Sequence, residues 1–305
     1  MDYQTMIDTA TWDFIRKSES FYPPETATFP ISRQRDIYNQ MCRQFFRGYP
    51  PGVTARDQMI GKVPCRTYPG AGPATVLYLH GGGFVVGGLD SHDDVCAEIR
   101  ARTGLTVIAV DYRLSPEHLH PAAFDDVCAV ARALDGPVVL AGDSTGANLA
   151  AAAAHALRGS AVRILGQVLI YPDFGGDMNA GSALIHANAP MLTREDVLFY
   201  RDIRHGAPAP DDDPAVCPLC DPNFSGLPPT LAISAECDPL ADEARHYADR
   251  VRAAGGRAQW SNAAGLVHGY LRARSTVPRA AESFTLIVDT IAAFATLNWP
   301  FQEQI

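Results

Sequence analysis

Short apolar runs alternate with longer segments of helical periodicity through most of the chain. Residues 75–79, 106–110, 138–141, 167–171, 230–234 and 258–261 read as strands. Between them, residues 93–103, 122–134, 147–157 and 239–254 read as helices, and a final helix is expected over about 279–297. This alternation predicts a parallel sheet whose strands are joined by right-handed helical crossovers. Residues 56–60 and 63–68, joined through Gly61-Lys62, read as an antiparallel hairpin at the first edge, so the predicted sheet is mixed.

Two stretches exceed what such an alternation needs: residues 1 to about 50, rich in aromatics, and the connection from Pro172 to Pro229. The second contains a helical pattern of its own over 193–204, which makes it a folded insertion rather than a loop. We expect both to form a cap over the sheet, built from about 1–50 plus an insertion within about 173–226; the alternative is two unrelated surface embellishments. The length of 305 residues permits two domains, but one domain spanning 1–305 with its cap is the simpler reading, and no internal repeat is evident.

Composition narrows the function. Hydrophobic residues make up 47% of the chain and charged residues 19%, as in a soluble globular protein with a large core. The net charge is −9, from 25 basic and 34 acidic residues, and the basic residues form no cluster that would neutralise a phosphate backbone. A neutral or weakly charged small molecule is the expected partner, not a nucleic acid. No apolar run approaches the ~20 residues of a membrane span, and Met1-Asp2-Tyr3-Gln4 opens no leader, so the expected location is the cytoplasm, with no membrane partner and a homodimer left open. The seven cysteines are odd in number and mostly sit singly among apolar residues, which reads as buried free thiols. Cys217 and Cys220 form one close pair, but no second pair or His pair accompanies them, so neither a zinc site nor a redox site is expected.

Gly142-Asp143-Ser144-Thr145-Gly146 follows one strand directly and opens an alanine-rich helix. A nucleophilic serine on so sharp a strand-to-helix turn needs minimal residues two before and two after it, so that neighbouring backbones can approach. Its hydroxyl also needs a base and an oxyanion site. His80-Gly81-Gly82-Gly83-Phe84 lies just after the strand at 75–79, where the amides of Gly82 and Gly83, with that of Thr145, can face a developing oxyanion. The loop lacks the Lys-Ser/Thr and the G-x-G-x-x-G spacing of phosphate-binding loops. His80 is expected to support the loop, with Gly81, rather than to act as base. In Asp90-Ser91-His92-Asp93-Asp94, a helix cap on Ser91 with an acidic first turn is preferred to a metal cluster.

This α/β-hydrolase arrangement demands the chain order Ser, then Asp or Glu, then His, on loops at the strand ends. Asp238, followed by Pro239, lies after the strand at 230–234, whereas Asp242 reads as a solvated helix charge. His268 lies in Gly265-Leu266-Val267-His268-Gly269, expected as a loop beyond the last strand, and His246 reads as a helix surface residue. Ser144, Asp238 and His268 are therefore the candidate triad.

These segments, together with Asp111-Tyr112-Arg113-Leu114-Ser115-Pro116-Glu117, resemble the hormone-sensitive-lipase-like family of esterases, and within it the bacterial acetyl esterases. The resemblance implies an α/β-hydrolase sheet, a cap from the amino-terminal segment and the insertion after the sixth strand, and hydrolysis of esters with small acyl groups. It carries the triad onto Ser144, Asp238 and His268. One departure is Thr145, where the family usually has alanine. The chemistry so implied uses neither metal nor organic cofactor. Two alternatives differ in class or substrate: a non-catalytic ligand receptor or regulatory protein-binding module on the same fold, and an amidase or lactonase using the same triad.

Overall fold

The computed structural model describes residues 1–206 and 213–302. Eight strands form one sheet: β1 (Arg56–Ile60), β2 (Val63–Tyr68), β3 (Thr75–Leu79), β4 (Thr106–Val110), β5 (Val138–Asp143), β6 (Ile164–Ile170), β7 (Thr230–Cys237) and β8 (Ala258–Val267). Their spatial order is β1-β2-β4-β3-β5-β6-β7-β8. The pairs β1/β2 and β2/β4 are antiparallel and the rest parallel, as the hairpin reading requires. Gly61 and Lys62 both take positive φ, 56° and 68°, which turns the two-residue hairpin in the sense that matches strand twist.

The helices are α1 (Tyr3–Met6), α2 (Thr9–Glu19), α3 (Ile31–Arg43), α4 (Asp93–Thr103), α5 (Ala122–Ala133), α6 (Thr145–Leu157), α7 (Gly181–Ile185), α8 (Arg194–His205), α9 (Ala241–Ala253) and α10 (Pro278–Ala295). One apolar cluster joins a sheet face to Val95 and Ile99 of α4 and to Phe284, Ile287 and Ile291 of α10. The other joins the opposite face to α5, α6 and α9 through Val127, Leu149, Ala153 and Tyr247. The alanine run of α6 explains its depth: Ala150 to Ala154 are at most 2% exposed, because side chains that end at Cβ let the helix axis press onto the sheet.

Strand ends differ from the pattern-based reading where function enters. β5 continues through Asp143 to the edge of Ser144, α6 starts at Thr145, and β8 runs to Val267, so Gly265–Val267 is strand and His268 follows it directly. Burial of both faces at β5 removes the alternation that would have marked its end.

Three side-chain expectations are corrected. The cap residue of α4 is His92; Ser91 Oγ instead donates to Gly88 O at 2.9 Å and lies 2.8 Å from His92 Nδ1, because the chain turns back on Gly88 before the helix begins. Cys217 and Cys220 are joined by a disulfide, which the single turn of 3-10 helix at Pro218–Cys220 brings within reach; Cys42, Cys65, Cys96, Cys128 and Cys237 are free and buried. Asp242 is half-buried rather than solvated, and its Oδ2 accepts the Ser182 N–H at 2.7 Å, fastening α7 to α9. Among the described residues, no helix is long and apolar enough to cross a membrane.

Candidate active site

Ser144 stands between the buried end of β5 and the first turn of α6 with φ 54° and ψ −122°, a conformation costly for a residue with a side chain. Such strain persists only where the surroundings impose it. Here they do: a β-carbon at Gly146 would overlap the carbonyl of Leu79, and one at Gly142 would overlap the backbone of Gly146. Strand β3, the turn and the start of α6 are thus packed backbone to backbone, and Ser144 is lifted out of line with its Oγ exposed to the cavity.

Ser144 Oγ lies 2.8 Å from His268 Nε2, and His268 Nδ1 lies 2.6 Å from Asp238 Oδ2. A carboxylate only accepts, so Nδ1 carries the proton and donates to Asp238, leaving Nε2 to accept from the Ser144 hydroxyl. Asp238 is fully buried, and its other oxygen accepts the Leu240 N–H at 2.9 Å. Burial of His268 disfavours the imidazolium, but the charge of Asp238 and its hydrogen bond outweigh that, and the pKa of His268 is raised above the ordinary imidazole value. Of the other histidines weighed, His246 is exposed on α9, far in character from this constellation.

Gly82 and Gly83 take positive φ, 135° and 63°. Among the described residues, the N–H groups of Gly82, Gly83 and Thr145 meet no protein acceptor, and all three residues line the cavity at Ser144. His80 lies under the loop: it is 3% exposed, its Nδ1 lies 2.9 Å from Gly81 O, and its ring stacks on Tyr112 at 4.3 Å. Desolvation and the neighbouring His92 lower its pKa to about 3, so it is neutral.

The sequence reading missed the group beneath the turn. Asp143 accepts from the Gly81 N–H at 3.1 Å, from Tyr78 Oη at 2.8 Å and from His92 Nε2 at 3.2 Å. Although burial opposes its charge, His92, these hydrogen bonds and Arg272 hold its carboxyl well below the usual range. Arg272 in turn donates to Ser91 O at 2.8 Å and to Tyr38 Oη at 2.7 Å, so α3 is tied to the same network. The available signal was Asp143 itself, a charged residue at the end of an otherwise apolar strand.

The cavity above Ser144 has a volume of about 680 Å³. Its floor is the constellation just described, and its walls come from both stretches in excess of the sheet: Tyr22 and Tyr38 on one side, Met191, Phe199 and Tyr200 on the other. No group of three metal-ligating side chains occurs among the described residues.

Residues 76–272 match the α/β-hydrolase-fold family. The ethyl acetate hydrolase of Pseudomonas putida is 33% identical over 259 residues, covering 78% of this chain and 80% of that protein. A carboxylesterase of Mycobacterium tuberculosis is 37% identical over 222 residues, covering 68% and 70%. The solved structure of an esterase from Pyrobaculum calidifontis superimposes with a TM-score of 0.80 at 30% identity, over 88% of this chain and 94% of that one.

Proposed function

As the chain belongs to the α/β-hydrolase-fold family, in its hormone-sensitive-lipase-like branch, we propose that it is a serine carboxylesterase acting on short-chain acyl esters through an acyl-enzyme on Ser144. Similarity to proteins named ethyl acetate hydrolase, carboxylesterase and acetyl esterase supports carboxylic ester hydrolysis. The observation that carries the mechanism is the pair of contacts at His268, 2.8 Å to Ser144 Oγ and 2.6 Å to Asp238.

In this reading Ser144 Oγ attacks the ester carbonyl while His268 Nε2 takes its proton. Asp238 fixes the tautomer and stabilises the imidazolium. The oxyanion forms opposite the amides of Gly82, Gly83 and Thr145. His268 then gives the proton to the leaving alkoxide, the alcohol departs, and water activated by the same imidazole releases the acid. The residues around 1–50 and within 173–226 act as the cap that bounds the substrate cavity.

The test is a panel of p-nitrophenyl esters assayed beside amides and lactones. Ester turnover that exceeds both by orders of magnitude, with acetyl or butyryl preferred to palmitoyl, is expected. Preference for a lactone or an amide would replace the reading by the corresponding hydrolase.

A further inference from the structure

Helix α8 meets the site through two consecutive side chains that point to different tasks. Tyr200 lines the cavity, and its ring stands where a β-carbon on Gly83 would be, so the absence of a side chain at Gly83 is what lets the ring rest on the oxyanion loop. The ring is therefore a wall immediately beside the place where an ester carbonyl must lie.

Arg201 turns the other way, into the protein. Its Nη2 donates to Asp173 Oδ1 at 2.5 Å and to Glu243 Oε1 at 3.3 Å, and its Nη1 donates to Gly176 O at 2.9 Å. Asp173 follows β6, and its N–H donates to Ser144 O at 3.4 Å; Glu243 lies in the first turn of α9, shortly after Asp238, and accepts the N–H groups of Phe174 and Gly176. Both carboxylates are buried, 7% and 6% exposed. One guanidinium thus fastens α8 to the loop behind Ser144 and to the helix behind Asp238. A planar fork can satisfy two carboxylates and a carbonyl at once, which a lysine ammonium on a flexible stem does less rigidly.

The chemistry of the site gives this wall a direction. The carbonyl oxygen must face Gly82 and Gly83, and the leaving oxygen must face His268 Nε2, which protonates it. The remaining substituent of the tetrahedral carbon is the acyl chain. We propose that Tyr200 sets the upper length of the acyl group, and that Arg201 is the positioning residue that holds Tyr200 in place through Asp173 and Glu243. This rests on the esterase reading above.

The experiment compares kcat and KM for acetyl, butyryl, hexanoyl and octanoyl p-nitrophenyl esters, and for acetate esters of increasing alcohol length, in wild type, Tyr200→Ala, Arg201→Met and Arg201→Lys. Thermal unfolding and titration of the reactive serine with a phosphonate count folded, competent sites in each. Tyr200→Ala should raise the octanoyl-to-acetyl ratio of kcat/KM by at least tenfold and leave the alcohol series near wild type. Arg201→Met should shift the acyl ratio in the same direction, per titrated site and chiefly through KM, and Arg201→Lys should restore part of the wild-type ratio. An active wild type with an unchanged acyl ratio in Tyr200→Ala, or a change confined to the alcohol series, overturns the inference alone. Arg201 variants that lose only folded sites while keeping the wild-type ratio overturn the positioning role. A wild type that hydrolyses no ester overturns the esterase reading and this inference with it.

Discussion

The carboxylate of Asp143 accepts the backbone N–H of Gly81 at 3.1 Å, joining the residue before Ser144 to the loop that carries Gly82 and Gly83. The turn that carries Ser144 and the loop of Gly82 and Gly83 are thereby set by one buried charge. Asp143→Ala would strand the Gly81 amide, Tyr78 Oη and His92, each a buried polar group whose loss of partner costs about 1–3 kcal/mol. Because a displacement of about 1 Å in a reacting geometry costs on the order of 100-fold, kcat should fall roughly 10- to 100-fold while KM changes little. Asp143→Asn, which keeps one acceptor oxygen, should fall between. Steady-state kinetics with a denaturant titration checks both effects, and an Asp143→Ala enzyme with wild-type kcat would separate the turn from the loop.

Ser144→Ala should abolish ester hydrolysis without loss of folding, since only a hydroxyl is removed; losses of order 10⁴ to 10⁶ in kcat are typical of triad nucleophiles. His268→Ala should be nearly as damaging. His246→Ala, on an exposed position of α9, should be mild, and an equal loss there would mean that the wrong base has been chosen. His92→Ala does not belong with the mild changes, as a sequence reading of a helix start would suggest. Its ring is 3% exposed and touches Asp143, so the substitution should lower the midpoint of thermal unfolding as well as the rate.

The pH profile follows from the sign of the His268 shift. The base must be neutral to accept the Ser144 proton, so kcat/KM falls as pH drops through the pKa of His268 in the free enzyme. Burial alone would lower that pKa, but Asp238 more than compensates and the net direction is up. The acid limb should therefore lie above the ~6.5 of an ordinary imidazole. Asp238→Asn removes the compensating charge, so its residual activity should show an acid limb displaced to lower pH. A wild-type limb below pH 6 would contradict the geometry at His268.

How much of this was legible depended on whether a local pattern carried it. The hairpin, the parallel strands and the candidates Ser144, Asp238 and His268 were readable because period, turn residues and position after a strand are properties of the local sequence. The structure brings Ser144, Asp238 and His268 within hydrogen-bond reach of one another, and Gly82, Gly83 and Thr145 line the same cavity. Three-dimensional partners were not readable. Asp143 meets Gly81 and His92 from positions 62 and 51 residues away, and Arg201 meets Glu243 from 42. Nothing in the neighbourhood of each residue announces the other. The Cys217–Cys220 bond is hidden for a different reason: an odd number of cysteines and the lack of a second pair argue against a disulfide framework, whereas a single helical turn suffices to close one bond.

The amino-terminal segment offers the last prediction, and the structure reverses a simple expectation about it. If residues 1–50 were a detachable cap, deleting the first 40 would leave the triad intact and loosen only chain-length discrimination. Phe14, Ile15 and Ile37 are, however, 3%, 1% and 2% exposed, and Phe14 and Ile15 belong to the same apolar cluster as α4, α10 and the sheet. Arg35 reinforces the contact, donating to Val85 O at 2.7 Å beside the Gly82–Gly83 loop and pairing with Glu117 at 2.7 Å. Burying one large apolar side chain is worth about 1.5–3 kcal/mol, and a whole domain of this kind is stable by only about 5–15 kcal/mol. Losing three of them, with the cavity left on that face of the sheet, should consume most or all of the margin. The truncated chain should show no cooperative thermal transition and no activity on any acyl length, whereas Tyr22→Ala, which reaches the cavity from the same segment, should fold and change only kcat/KM across the ester series. A truncated chain that melts cooperatively near the wild-type temperature would show that α2 and α3 are a lid resting on a self-sufficient core.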